Sequence, residues 1–350
     1  MKEIKIDIPF KTKLSFQRPY VYQKSSISAV CIRMMVFLVL QFIVLIHSKS
    51  YSAVGVISTT LSAAICASAV QYFVSKVPLY SLIPTILEGF MCGFLFPENY
   101  PLFTAFVLVF LVLLIINYVF SGFANNWANP IVLIVILAWF VGKKYFPSIL
   151  LDPQNLITRN PSLFFVQDSK QSISFFDPAV TDFLNKYVFH YFKVSIPQGY
   201  VSFLWDNHSI IPAFRFNILT LIASVYLFSD DSVEILIPSV FVVTYCALVR
   251  LFAPMLAGGA FNSGDIILCL FSSGTLFFTV FVLGWYGTVP MTKGGKFILA
   301  VSGGVVAFLV VGAGTSFIGM AFTVLFCNLL NLILRLIEDN KNYARLASRG

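Results

Sequence analysis

The sequence predicts an all-α, polytopic membrane protein of about ten transmembrane helices in two inverted five-helix repeats, with interrupted half-helices. Three observations predict it. Only 11% of the 350 residues are charged, against roughly 25% in a soluble domain, and the mean hydropathy is +0.87. The apolar residues gather in runs close to the ~20 residues that a helix needs to cross a bilayer. Glycine and proline interrupt these runs at matching places in the two halves: Gly89, Gly93, Pro97, Pro101 and Gly122 in the first, Gly274, Gly284, Pro290 and Gly312 in the second. Paired interruptions of this kind point to a site at the repeat interface.

Residues 1–28 form a basic arm, with Lys2, Lys5, Lys11, Lys13, Arg18 and Lys24 ahead of the first span and Arg33 just inside it. The lead is long and lacks a small-residue cleavage site, so the first helix is expected to stay in the protein. Its basic excess places the N-terminus in the cytoplasm. The formal charge of +8 needs no partner beyond the membrane surface, and no nucleic acid is expected. The first membrane repeat is 29–146, with spans at 29–47, 52–75, 79–96, 103–120 and 130–146. An extracytoplasmic loop, polar and aromatic, follows at 147–211. The second repeat is 212–337, with spans at 212–229, 234–252, 264–284, 296–312 and 316–337, before a cytoplasmic tail at 338–350. Lys293, Lys296, Lys341, Arg345 and Arg349 fall on the cytoplasmic side in this scheme, whereas Lys143 and Lys144 fall outside, against the rule.

The stretch from Asn117 to Leu137 is the first candidate for the working centre. Hydrocarbon flanks it on both sides, while Ser121, Gly122, Asn125, Asn126, Asn129 and Pro130 occupy the middle. Pro130 removes a backbone donor and Gly122 weakens a helix. Broken backbone at membrane depth is tolerated only where protein or a water-filled cavity satisfies it. A plain inter-helix turn would use the same residues, so both readings stay open here. Gly312 and Gly314 mark the corresponding place in the second half.

Ionisable residues within spans are costly and usually functional. Glu88, beside Gly89 in the third span, is the foremost of them. Arg215, Arg250 and Asp265 lie near span ends and read as interfacial. The six cysteines all fall in apolar segments without a CxxC pair, and the three histidines are scattered. No catalytic constellation and no metal-ligand spacing is expected.

Several stretches carry a resemblance. They are Arg18-Pro19-Tyr20-Val21 with Ser25 to Met34, Glu88 to Pro101, and Asn117 to Ile131 with Phe120, Gly122, Asn126, Asn129 and Pro130 in place. Tyr226 to Pro238, Pro290 to Gly294, Gly303-Gly304, and the tail through Asn328 and Arg335 continue it. In this order the chain resembles a divergent member of the NqrB/RnfD family, membrane components of the sodium-pumping NADH:quinone reductase and of the Rnf electron-transport complex. The resemblance implies a flavoprotein component of a translocase in the bacterial inner membrane, assembled with other redox subunits and coupling electron transport to Na+ or H+ movement. It also implies flavin mononucleotide (FMN), joined to the threonine of a Ser-Gly-Ala-Thr motif in the outward loop. Aligned backward from span six, Pro178-Ala179-Val180-Thr181 takes that place, so Thr181 is the candidate attachment residue; counting from Asp168 offers Ser174 instead. Ala213 to Phe216 replace the family's Gly-Glu-Thr-Ser, Gly284, Trp285 and Tyr286 replace its Thr-Asp-Pro, and Asn117 replaces its lysine. Two other readings remain: a small-solute channel or transporter lined by Asn126 and Asn129, and a structural subunit without cofactor.

Overall fold

A computed structural model describes residues 25–119, 126–147, 174–193, 195–256, 261–262, 264–312 and 316–347. All regular elements among them are helical. The first half holds α1 (Ile27–His47), α2 (Tyr51–Ser75), α3 (Ile83–Leu95), α4 (Leu102–Val119) and α5 (Pro130–Val141). Two short helices follow, α6 (Asp177–Tyr187) and α7 (Tyr200–Trp205). The second half holds α8 (Asn217–Ser229), α9 (Leu236–Leu256), α10 (Ile266–Ser272), α11 (Thr275–Phe277) continuing as a π-helix over Phe278–Val282, α12 (Lys293–Val311) and α13 (Gly319–Ala347). Five helices are long and apolar enough to cross a membrane: Ile27–His47, Tyr51–Ser75, Leu236–Met255, Lys293–Val311 and Gly319–Lys341. Shorter apolar helices run over Leu79–Leu95, Leu102–Ile116, Pro130–Val141 and Asn217–Ser229. The protein is a polytopic membrane protein.

Elements of the same rank in the two halves meet. Helix α1 packs on α8 and α5 packs on α13. The first pair is antiparallel. Arg33, early in α1, bonds Asp230 just past the end of α8, while Ser50, just past the end of α1, bonds Arg215 just before α8. Gln41 donates to Thr220 between them at 3.0 Å. Trp139, late in α5, meets Phe322, early in α13, edge to face at 5.9 Å. Other bonds gather the chain's described ends at the Arg33 end: Lys296 pairs with Glu234, and Glu338 accepts from Thr292.

Small residues let the helices approach. A Cβ on Gly93 would lie 2.7 Å from the Ile57 Cα and 2.3 Å from the Thr60 hydroxyl of α2, and one on Gly89 would lie 3.0 Å from the Thr60 carbonyl. Between lipid-embedded helices such van der Waals contact is a main attraction. Gly93→Ala is therefore expected to cost about 1–3 kcal/mol by overpacking, read as a lower unfolding midpoint in detergent. Gly294→Ala, whose Cβ meets nothing within 4 Å, is expected not to lower it.

Three elements depart from the sequence expectation. The eighth span, read as continuous over 264–284, is broken at Ser273-Gly274. Gly274 has φ +67°, and a Cβ there would sit 2.0 Å from the Phe214 ring. The sixth span begins at Asn217, because Phe216 is left-handed (φ 39°) after a 3-10 turn at Pro212–Phe214. The expected loop at 147–211 contains α6 and α7 in its described part.

Candidate functional site

Glu88 lies on α3, 2% exposed, where the two halves meet. Its Oε1 has no hydrogen-bond partner. Its carboxyl faces the Trp285 indole from the second half and lies within electrostatic reach of the Cys31 and Cys92 thiols. One turn-and-a-half further along α3, Phe94 stacks on Phe277 at 6.3 Å, and Phe277 packs on Phe281 at 4.9 Å. Trp285 is also part of the wall of a cavity of about 240 Å³, whose lining includes Val30, Met34, Asp231, Ser232 and Glu234. The acid is thus one indole away from a space bordered by two further carboxylates at the Arg33 end. Sequence reading singled out Glu88; the partner Trp285, almost two hundred residues later, carried no local signal.

The half-helix stretch is partly described. Asn129 is fully buried and caps α5: its Oδ1 accepts from the Ile131 N–H at 3.0 Å, and Pro130 takes the first helical position. A proline there loses nothing, since that N–H has no intrahelical partner. Pro130 therefore starts a helix rather than breaking one. The Asn129 amide also donates to the Val282 carbonyl at 3.0 Å, where the π-turn of the second half ends. A π-turn leaves carbonyls out of the ordinary ladder, and Asn129 supplies one of them with a donor. Asn126 is buried, with its Oδ1 unpartnered. In the second half Gly312 ends α12 with φ 61°, and its carbonyl accepts from Tyr245 at 2.9 Å. Gly122 and Gly314 lie outside the described residues. The structure thus brings Asn129 to the junction of the halves.

The residues read as interfacial are each engaged in structural bonds. Arg215 is 6% exposed and pairs bidentately with Asp206, at 2.8 and 2.6 Å, while donating to Ser50 at 2.7 Å. Asp265 caps α10 by accepting from the Leu268 N–H at 3.0 Å and also accepts from Tyr200. Arg250 donates to Asn262 and to the Gly264 carbonyl.

Thr181 is buried at 2% exposure, and its hydroxyl donates to Asp177 at 3.0 Å. Asp177 is the centre of a knot. It is fully buried and also accepts from the Gly199 N–H at 3.0 Å and from both the N–H and the hydroxyl of Ser202 at 2.6 Å. These bonds tie the start of α6 to the start of α7. A phosphoester at Thr181 would remove one of the donors holding a buried carboxylate and would need room that a buried side chain lacks. The residues present do not fit FMN attached at Thr181. Ser174 is half-buried; its N–H donates to Ser202 and its carbonyl accepts from Asp177, while its hydroxyl takes no part in the knot. Replacing Thr181 with valine keeps the shape and removes the donor. The expected result is a loss of about 1–3 kcal/mol in an unfolding titration, with the flavin content of the preparation unchanged.

Among the described residues no group of three or more His, Cys, Asp or Glu side chains is placed to hold a metal ion. No curated protein matches the chain. The model of the NQR2, RnfD, RnfE family does match, over residues 15–344, and with nearly the whole chain covered the protein belongs to that family.

Proposed function

We propose that this chain is the ion-coupling membrane subunit of an Rnf/Nqr-type electron-transport complex in the bacterial inner membrane, with both chain ends cytoplasmic. The observation that carries the reading is Glu88: a buried acid with an unpartnered oxygen that faces Trp285 of the other half. Intramembrane carboxyls facing a bundle interior mark ion and proton pathways. In this reading Na+ or H+ enters by the cavity bordered by Asp231 and Glu234 and reaches Glu88 past Trp285, while redox partners in neighbouring subunits drive the passage. The halves, inverted relative to each other, form two membrane repeats around that path. Ser174 is the position we propose for an FMN ester on this chain, and extra mass on the peptide that carries it tests that assignment.

The test of the whole reading is purification of the tagged chain from its own membranes, followed by vesicle transport. Redox subunits that co-purify, and Na+ or H+ uptake started by NADH or reduced ferredoxin, are expected. Passage of a small neutral solute through liposomes holding this chain alone, without donor-driven ion uptake, would overturn it. The ring packing of Phe94, Phe277 and Phe281 between the halves gives the channel reading no support.

A further inference from the structure

Helix α13 carries a second polar feature, which the Glu88 path does not use. Asn328, Asn331 and Arg335 stand three and four residues apart, so they share one face of the helix. Asn328 and Asn331 are each 1% exposed, within the apolar span Gly319–Lys341. Yet the Asn328 amide nitrogen, both polar atoms of Asn331 and the Arg335 Nε have no hydrogen-bond partner. The Arg335 Nη2 donates to the Val289 carbonyl at 3.0 Å, and Val289 lines the 240 Å³ cavity.

A buried amide left without a hydrogen bond loses its solvation and gains nothing in return. Four such atoms on one face, in a segment where lipid offers no partner, are more than a dry helix contact tolerates. Other buried amides lose less: Asn217 donates to the Phe203, Phe214 and Phe271 carbonyls, Asn129 uses both ends, and Asn126 leaves a single oxygen unpartnered. On the α13 face three of the unpaired atoms are donors and one, Asn331 Oδ1, is an acceptor. The fixed positive charge of Arg335 disfavours a cation. Water accepts and donates, and it fits between side chains one helical turn apart.

We propose that this face of α13 is hydrated, with ordered water running from the cavity wall at Val289, past Arg335, to Asn331 and Asn328. Asn328 and Arg335 are seven positions apart, roughly 10 Å of helix. The path stands on its own unpaired atoms and holds whether or not Glu88 carries an ion.

Hydroxyl-radical labelling of the full chain in lipid nanodiscs tests it, because radiolysis acts through water beside a side chain. Cys327 stands four residues before Asn331 on the same helix and is 2% exposed; Cys269, in α10, is fully buried and bonded to the Ile266 carbonyl. Mass spectrometry is expected to find Cys327 oxidised several-fold more than Cys269, with the excess lost in Asn331→Leu. Equal protection of the two thiols in the wild-type chain overturns the proposal, and so does a Cys327 excess that survives Asn331→Leu.

Discussion

Glu88→Gln is expected to abolish donor-driven ion uptake by the assembled complex while leaving assembly intact. Glutamine matches the side chain in size and keeps a hydrogen-bonding carbonyl toward Trp285, but it can neither ionise nor release a proton. A positioned group that passes a proton contributes about 10²-fold or more, so uptake in vesicles should fall by at least that factor. Co-purification of the partner subunits and the thermal midpoint of the chain should stay close to those of the wild type, because the replaced oxygen has no partner to lose. Uptake at the wild-type rate in Glu88→Gln would remove Glu88 from the path.

The second large effect is on stability. Asp206 and Arg215 are both nearly buried and joined by two hydrogen bonds. Removing one member of such a pair leaves the other charged and unpaired, at a cost of about 3–5 kcal/mol. Asp206→Asn keeps an Oδ1 to accept from the His208 N–H, which Asp206 holds at 2.8 Å, so the loss reports the ion pair. The expected result is a large fall in the midpoint of a detergent unfolding titration. The paired replacement Asp206→Leu with Arg215→Met should recover most of it, since apolar groups of similar volume often replace a buried ion pair without loss. A double-mutant cycle separates the pair from its surroundings. Arg215→Ala should also free Ser50, loosening the junction of α1 with α8 at that end.

Much of the fold was legible in the sequence because its signals are local. Each of the long helices lies on an apolar run, and the start of α5 was marked by Asn129-Pro130, a cap followed by a residue suited to the first turn. Gly274 was among the interruptions marked in the sequence, but the tertiary cause of its break was not legible. Gly274 is left-handed, and the Phe214 ring occupies the space a side chain there would need; nothing near Gly274 in the chain announces Phe214. The neighbouring pair Ser272-Ser273 was the available hint, since hydroxyls that bond back to carbonyls four residues earlier tend to bend helices.

The candidate sites divide the same way. Glu88 stood out as a lone acid in an apolar run, and the structure adds the unpartnered oxygen and the indole that faces it. Arg215 and Asp265 were placed by position along the helix, which could not name their partners, Asp206 and Tyr200, from the segment between the halves. Thr181 was singled out by aligning backward from the sixth span, which carries no information about its burial. Its burial follows from helical periodicity: Asp177 lies four residues earlier on the same face and draws the hydroxyl inward. A carboxylate bonded to four donors is visible only once Gly199 and Ser202 are brought beside it.

The asymmetry between the two half-helix caps has a mechanical meaning. In the second half Ser316 caps α13 by accepting from the Gly319 N–H at 3.1 Å, with a side chain too short to reach further. In the first half the longer Asn129 side chain caps its own helix and also holds the Val282 carbonyl of the opposite half. One helix start is therefore bolted across the seam, while the other is fastened to itself. Any rocking of the halves must either shear the Asn129 bolt or carry α5 along with the π-turn as one rigid piece, so the pivot of such a motion belongs on the α5 side of the molecule.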